Sequence, residues 1–248
     1  MCSSKTQDFP RIEPLGLGAL LVRFVDRLDD DANRACLALR ASLEAEPIAG
    51  VAETAPALAS VLVRLDAPEG AERVEAALRA RLAARSWART PLPPRRLWRI
   101  PCSYGGEDGP QLEETARLAG MRPEEAVRTL SRARLRVLAI GFAPGMPYLG
   151  ILPPEWDVPR QEGLTPRVPE GALVLAVRQL VLFGTEAPTG WRQVGRTAFG
   201  CFRPDRRRPA ALAAGDEVMF PGIPPTELRA RAEADAEGHG GATWEPLA

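Results

Sequence analysis

The chain has 248 residues, of which 45% are hydrophobic and 26% are charged, so it can form the core of one large or two small globular domains. Lysine plus arginine and aspartate plus glutamate both number 32, which excludes the basic excess of nucleic-acid-binding proteins, and the one basic run, Arg206–Arg208, predicts a solvated turn. The four cysteines have no CxxC spacing, which predicts a cytoplasmic protein without a metal site. No apolar stretch approaches the roughly 20 residues that span a bilayer, so we expect no membrane partner and no secretory leader.

The first part of the chain alternates between strand and helix patterns. Residues 11–24 end in an apolar run that predicts a strand, and an acidic helix cap followed by apolar residues at helical spacing comes next. Residues 58–65 predict a buried strand, and residues 69–84 predict a second amphipathic helix. This order predicts a small α+β domain of ferredoxin-like type over residues 1–90, which ends in the proline-rich segment 86–94.

The second part is rich in short strands and turns. Residues 95–101 and 134–140 predict strands with two short helices between them, and the later apolar runs are separated by proline and glycine. A closed or half-closed β-barrel over residues 91–224 is therefore the expected architecture. Residues 225–248 predict a charged helix followed by a flexible tail, which holds His239, the single histidine. A Ser-His-Asp or Cys-His mechanism is therefore not expected.

The segment GFAPGMPYLG at residues 141–150 has the most unusual composition. It combines three glycines, two prolines and two aromatic residues in ten positions, which is incompatible with regular secondary structure. Such a segment predicts a rigid loop that offers backbone N–H groups and aromatic faces to a ligand. The alternative is a purely structural corner that turns a strand into the barrel.

A longer string of motifs carries a family resemblance. After GFAPGMPYLG come Pro159-Arg160, VPEGALVLA, PTGW, VGRT and AAGDEVMF, and IPCSYGGEDGPQL precedes it. This order resembles the family that contains the B subunit of 5-oxoprolinase, the kinase inhibitor KipI and the first subunit of allophanate hydrolase, over roughly residues 9–222. The resemblance implies that the C-terminal domain is similar to a cyclophilin-like β-barrel.

The resemblance also implies a function. The chain would be one component of an ATP-dependent amide or lactam hydrolase that opens 5-oxoproline to glutamate, together with a homologous barrel similar to the C subunit of that enzyme. No P-loop pattern is present, so we expect no cofactor in this chain itself and ATP use elsewhere in the complex. Two alternatives stay open: a KipI-type regulator that inhibits a histidine kinase, and a repurposed barrel that acts on a less polar small-molecule ligand.

The family motifs nominate the candidate site residues. They are Phe142, Pro144, Gly145, Tyr148, Arg160, Gln179, Trp191, Arg196 and Thr197. The arginines could hold a carboxylate or phosphate, the aromatic residues could line an apolar pocket, and Gln179 could orient a carbonyl. The structural alternatives are salt bridges for the arginines, core packing for the aromatic residues and a strand-edge position for Gln179. No catalytic residue is assigned, because the run 178–184 lacks the polar Thr and Tyr of the family pattern and indicates a less polar groove.

Overall fold

The structure is a computed structural model that describes residues 9–235 and 238–247. The chain divides into two compact units, Met1–Pro93 and Pro94–Ala248. Each unit has its own β-sheet and its own buried apolar core. Among the residues that the structure describes, no helix has the length and apolar character needed to cross a lipid bilayer.

The first unit is an antiparallel sheet with two helices packed on it. Its elements are β1 (Arg11–Pro14), β2 (Ala19–Arg23), α1 (Asp30–Ala45), β3 (Val51–Pro56), β4 (Ser60–Leu65) and α2 (Ala71–Ala83), with short 3-10 turns at Pro68–Gly70 and Trp87–Arg89. The strand order is β1-β2-β4-β3, and each neighbouring pair is antiparallel. One helix therefore joins β2 to β3, and the other follows β4.

Two strands of this sheet differ from the sequence prediction. The apolar run that ends residues 11–24 forms β2 as predicted, but a strand that was not predicted, β1, precedes it. The two form a hairpin, in whose turn the Leu15 N–H donates to the Ala19 carbonyl at 2.8 Å. Gly16 takes a φ of 62° in this turn, which glycine adopts without strain. The edge strand β3 was missed because its sequence, VAETAP, has no clear apolar alternation.

Helix α1 forms for the reasons that its sequence indicates. The Asp29 side chain accepts a hydrogen bond from the Ala32 N–H at 2.9 Å and caps the first turn. One face of the helix, which includes Leu39, packs into the same buried cluster as Val61 and Val63 of β4. Burial of this face stabilises the helix more than its intrinsic propensity does.

The second unit contains most of the chain's strands. Its elements are β5 (Arg95–Arg99), β6 (Cys102–Tyr104), α3 (Leu112–Leu118), α4 (Pro123–Arg132), β7 (Leu135–Ile140), β8 (Pro147–Gly150), a 3-10 turn (Pro154–Trp156), β9 (Thr165–Val168), β10 (Ala172–Ala176), β11 (Gln179–Leu182), β12 (Ala187–Thr189), β13 (Arg192–Thr197), β14 (Glu217–Met219), α5 (Pro225–Ala234) and β15 (Thr243–Leu247). Nine strands form one sheet in the order β15-β5-β14-β7-β8-β11-β10-β13-β6, and β9 pairs separately with β12.

The large sheet is curled, and both of its ends reach the segment 95–104. Strand β5 at the start of this segment pairs in parallel with β14, while β6 at its end pairs with β13. Cys102 is bonded on both sides, because it pairs with Thr197 of β13 and forms an isolated bridge to Gly222, beyond the end of β14. A single stretch of chain therefore runs from β5, which lies next to the edge strand β15, to β6, the edge strand at the other end of the sheet.

The two faces of the curled sheet carry different apolar clusters. Side chains from β5, β6, β7, β8, β10, β11, β13 and β14 all meet in one large buried cluster, which is therefore the interior. Along β11 and just beyond it, Leu180 and Leu182 join this interior, whereas Val181 and Phe183 belong to a smaller cluster on the outer face. The alternation follows from the period of two along a strand.

The end of the chain differs from the flexible tail that the sequence predicts for residues 225–248. The predicted charged helix is present as α5, but the residues after it, where a flexible tail was expected, include strand β15, which pairs along β5. Trp244 lies directly opposite Trp98, and Arg99 donates to the Glu245 carboxylate at 2.8 Å. Cross-strand aromatic and opposite-charge pairs of this kind hold an edge strand in place, and the small polar stretch before it masked this signal.

Candidate functional site

A cleft of about 330 Å³ lies on the outer face of the curled sheet, above Val181 and Phe183. We call it the aromatic cleft. It is lined by Phe142, Met146, Tyr148, Arg160, Gln161, Leu164, Val181, Phe183, Pro188, Thr189, Gly190 and Trp191. Its volume is at the lower end of the range for small-molecule sites, which is about 300–1,000 Å³.

The glycine- and proline-rich segment 141–150 forms one wall of the aromatic cleft. Gly145 takes a φ of 70°, and a Cβ at this position would lie 2.6 Å from the Cys201 carbonyl oxygen, so only glycine fits. Phe142 takes a φ of 68° although it has a bulky side chain, and the residue is 76% exposed. Strained backbone that presents an aromatic ring to solvent is typical of ligand-binding sites.

Three side chains contact one another at the centre of the aromatic cleft. The Tyr148 and Trp191 rings meet edge to face with centroids 6.2 Å apart, and the Arg160 guanidinium carbon lies 5.5 Å from the Trp191 centroid. Such a cation–π contact orients the guanidinium and leaves its N–H groups available to an anion. Burial raises the pKa of the Tyr148 hydroxyl, and the nearby Arg160 offsets part of this rise, so the phenol stays protonated and can donate a hydrogen bond.

The loop that carries Arg160 is held by hydrogen bonds to two other segments, residues 190–192 and the residue that precedes α3. The Gln161 N–H donates to the Gly190 carbonyl at 2.7 Å, and the Gln161 side-chain oxygen accepts from Gln111 Nε2 at 2.6 Å. The Arg192 guanidinium donates to a backbone carbonyl of the same loop at 2.5 Å. These contacts fix the position of the arginine relative to the aromatic rings.

The structure brings four of the predicted site residues together in the aromatic cleft. Phe142, Tyr148, Arg160 and Trp191 all line it, and they come from three separated motifs of the sequence. Pro144 and Gly145 lie in the wall segment without lining the cleft.

Three predicted residues lie elsewhere. Gln179 begins β11, is 6% exposed and does not line the aromatic cleft. Arg196 and Thr197 line a different cleft of about 560 Å³, together with residues that include Glu170 and Arg229. The separation arises because β13 runs from the aromatic cleft at Trp191 towards β6, so its far end reaches another part of the surface.

Sequence reasoning missed several lining residues. Gln161 follows Pro159-Arg160 directly, and its position beside that motif is a signal that could have identified it. Val181 and Phe183 share one face of their strand, so the alternation of β11 would have placed them together. The apolar run at 178–184, where the sequence lacks the family's polar residues, therefore supplies part of the floor of the aromatic cleft.

The chemistry of the aromatic cleft is that of a binding site. It offers a guanidinium for an anion, a phenol as a hydrogen-bond donor and aromatic faces for an apolar body. Among the described residues that line it, none is a histidine, cysteine, aspartate or glutamate. The arrangement suits a small carboxylate-bearing molecule whose remaining surface is largely apolar.

Comparison with known proteins shows the family. The sequence model for the carboxyltransferase domain, subdomain C and D, matches residues 10–212. The chain is 34% identical over 221 residues to the B subunit of 5-oxoprolinase from Bacillus subtilis (strain 168), which covers 85% of this chain and 91% of that protein. It is 35% identical over 128 residues to the B subunit of 5-oxoprolinase from Escherichia coli O157:H7, which covers 52% of this chain and 59% of that protein.

Solved structures share the fold. TTHA0988 superposes with a TM-score of 0.70 at 29% identity over 83% of this chain, and the chain spans only 40% of that protein's length. The Kluyveromyces lactis urea carboxylase superposes with a TM-score of 0.71 at 17% identity over 98% of this chain and 25% of its own, a likeness of fold alone. With the family match over residues 10–212 and the Bacillus subtilis relative at 34% identity, the chain belongs to the carboxyltransferase domain, subdomain C and D, family.

Proposed function

We propose that this chain is one component of an ATP-dependent amide or lactam hydrolase similar to 5-oxoprolinase, and that it works with a homologous partner protein. One observation carries the proposal: Arg160, an exposed residue that lines the aromatic cleft, lies over the Trp191 ring and makes no ion pair with any described residue. The relatives named as the B subunit of 5-oxoprolinase support the same interpretation.

The aromatic cleft matches the chemistry of 5-oxoproline, which is a five-membered lactam with a carboxylate. The Arg160 guanidinium would bind the carboxylate, since its fork of N–H donors fits two oxygens. The methylene carbons would lie against the Trp191 ring, and the protonated Tyr148 hydroxyl would donate to the lactam carbonyl. In this proposal the partner protein and the ATP-using part of the complex supply the groups that activate and hydrolyse the amide.

The proposal extends to the architecture. We assign the first unit to a ferredoxin-like domain in which β1 takes the edge position next to β2, and the second to a cyclophilin-like barrel closed by the segment 95–104. Strand order and the double pairing of Cys102 support this assignment. We also place the complex in the cytoplasm, where its ATP would be available.

The direct test is reconstitution. The chain is co-expressed with the A and C subunits of a related 5-oxoprolinase, and ATP-dependent formation of glutamate from 5-oxoproline is measured. We expect Arg160→Ala to raise KM by about 10- to 100-fold, because a hydrogen-bonded charge pair contributes roughly 1.5–3 kcal/mol. Arg160→Lys keeps the charge but loses the two-pronged geometry, so its KM should fall between those of the native chain and the alanine variant.

The control for this test is Arg128→Ala, which removes an exposed arginine on α4 and should leave KM within twofold of the native value. If the B subunit of the related enzyme restores glutamate release where this chain gives none, the hydrolase proposal is wrong. Equal KM for the native chain and Arg160→Ala in an active complex would remove the aromatic cleft as the substrate site.

The exposed rim of the aromatic cleft favours a second candidate, a KipI-type regulator. Phe142 is 76% exposed and Leu164 is 70% exposed, and both flank the cleft as large apolar side chains. Such a rim is suited to contact with another protein. A regulator of this type would slow autophosphorylation of a histidine kinase, and Phe142→Ser with Leu164→Ser would abolish the effect. An unchanged autophosphorylation rate with a panel of candidate kinases would count against this function.

A further inference from the structure

A second and larger cleft of about 690 Å³ is bordered by the strands β5 and β15 and by the loop that follows β13. We call it the arginine cleft. Its arginines are Arg96, Arg203, Arg206, Arg207 and Arg208, and its rings come from Trp98, His239 and Trp244. None of its lining residues also lines the aromatic cleft, so it is a separate place on the second unit.

The arginines of this cleft differ in how they are held. Arg96 is committed to the fold, because its guanidinium and its backbone N–H both bind the buried Asp216 carboxylate. Among the described residues, Arg203, Arg207 and Arg208 make no ion pair. The cleft therefore carries several positive charges that the described carboxylates do not neutralise.

Arg203 is positioned by the backbone rather than by an acid. A Cβ at Gly200 would lie 2.5 Å from its guanidinium and a Cβ at Gly238 would lie 2.3 Å from it, so the side chain is packed closely between these two glycines. The Gly200 N–H donates to the Gly238 carbonyl at 2.9 Å and holds the two segments together. The Arg203 Nε is buried and has no hydrogen-bond partner among the described residues, while the side chain as a whole is half-buried beside the cleft.

Aromatic rings form the opposite wall. Trp98 and Trp244 are cross-strand neighbours with ring centroids 6.2 Å apart, and His239 stacks on Trp98 at an interplanar angle of 20°. Trp98 is buried, whereas Trp244 is 55% exposed at the cleft. An indole that stays this exposed beside unneutralised arginines can accept a flat ring on its face.

We propose that the arginine cleft binds a small phosphorylated molecule that carries an aromatic ring. The phosphate groups contact Arg203, Arg207 and Arg208, and the ring stacks on Trp244. Three guanidinium groups without ion pairs favour the multiple charges and the oxygen-rich geometry of phosphate over a single carboxylate. The ligand chemistry is that of a nucleotide, and the inference stands independently of the hydrolase proposal because it uses none of the residues of the aromatic cleft.

The test uses the full chain and isothermal titration calorimetry with ATP, GTP and inorganic tripolyphosphate. Arg207→Ala with Arg208→Ala should weaken binding of the nucleotides at least tenfold, because both side chains are exposed and their loss removes charge without disturbing the core. Affinity should also fall steeply as salt is raised from about 50 to about 300 mM, because the contacts are between exposed charges. The matched control is Arg122→Ala with Arg128→Ala, before and within α4, which changes the net charge equally and should leave the affinity within twofold.

The ring contact is tested at Trp244. The native chain should bind nucleotides at least fivefold more tightly than tripolyphosphate. Trp244→Ala should bind both with equal affinity, whereas Trp244→Phe should keep most of the preference for nucleotides. Circular dichroism and urea unfolding of each variant establish that the chain is folded. Absence of binding by all three probes, or an equal loss in the Arg122/Arg128 control, would overturn the site. Equal affinity for tripolyphosphate and the nucleotides would overturn the stacking on Trp244.

Discussion

The side-chain amide of Gln111 connects β13 to the loop that carries Arg160, and we expect its removal to loosen the aromatic cleft. Its oxygen accepts from the Gln193 N–H at 2.7 Å, and its Nε2 donates to the Gln161 side-chain oxygen at 2.6 Å. Gln111→Ala breaks both bonds, so the Gln193 N–H and the Gln161 side-chain oxygen lose these partners. The side chain lies before the first turn of α3, so the helix itself is not interrupted.

The loss of stability follows from the burial of the two groups that lose a hydrogen bond, the Gln193 N–H and the Gln161 side-chain oxygen. Gln193 is 6% exposed, so its backbone N–H loses its partner in a nearly dry environment, at a cost of about 1–3 kcal/mol. The Gln161 oxygen is half-buried and can reach water, so its loss costs about 0.5–1 kcal/mol. We expect Gln111→Ala to lower the free energy of unfolding by about 1.5–4 kcal/mol.

Urea unfolding followed by tryptophan fluorescence measures this change. Four of the five tryptophans, Trp98, Trp156, Trp191 and Trp244, belong to the second unit, so the signal reports mainly on the unit that contains Gln111. With an m value of roughly 2 kcal/mol per molar urea, the midpoint should fall by about 1 M. The same variant should raise the substrate KM of the reconstituted complex, since Arg160 loses part of its support.

Two further variants test whether the Gln111 hydrogen bonds hold the loop. Gln111→Glu keeps an acceptor for the Gln193 N–H, so it should recover about half of the lost stability. Glu113→Ala removes an exposed side chain from the same helix and should change stability by less than about 1 kcal/mol. If Gln111→Ala is as stable as the native chain, or if Gln111→Glu is no better than alanine, the hydrogen-bonded link does not hold the loop.

Three other outcomes are expected. Gly171→Ala should lower the free energy of unfolding in urea by about 2 kcal/mol or more, because the φ of Gly171 is 80° and a Cβ there would lie 2.2 Å from the Thr197 carbonyl oxygen. Gly163→Ala is the control, since a Cβ at that position meets no atom within 4 Å. Phe142→Gly should raise the unfolding midpoint by relieving a left-handed backbone, a net gain of about 0.5–1 kcal/mol, while it weakens ligand binding at the aromatic cleft; a lower midpoint would contradict this. Burial alone would raise the pKa of Glu217, but its two arginine partners lower that pKa below the usual value. The ionised carboxylate therefore stabilises the fold above the usual carboxyl pKa of about 4, and this stabilisation is lost as pH falls through the pKa of the folded state. Glu217→Gln should make stability depend less on pH in the acid range, and an unchanged dependence would contradict this.

The sequence predicts those parts of the fold whose patterns are local. The cap at Asp29 and the apolar face of α1 are readable because helix periodicity and capping depend on near neighbours. Strand β15 and the pairing of β5 with both β14 and β15 are not readable, because they depend on residues far apart in the chain. The exposed edge strand β3 was missed for a different reason, since a polar edge strand has no periodicity to detect.

The candidate site was predicted where conformation is encoded locally. Glycine and proline in 141–150 indicate a corner, and the structure shows Phe142 and Tyr148 of this segment at a cleft. Arg196 was nominated with them by the family motif VGRT, but it lies towards the far end of β13, and an extended strand separates its ends by roughly 3.3 Å per residue. Three-dimensional proximity across β8, β11 and β13 therefore decides which motif residues share a cleft.

The double use of the segment 95–104 has a consequence for synthesis of the protein. Arg95 and Glu217, which meet through a side-chain hydrogen bond, are separated by 122 residues. When Arg95 leaves the ribosome, its strand partner β14 has not yet been translated, so the backbone groups of β5 remain unpaired. In nascent chains halted before residue 217, the second unit should consequently depend on chaperones and be readily cleaved by proteases. Once β14 and β15 have left the ribosome, this unit should become resistant to proteases in a single step.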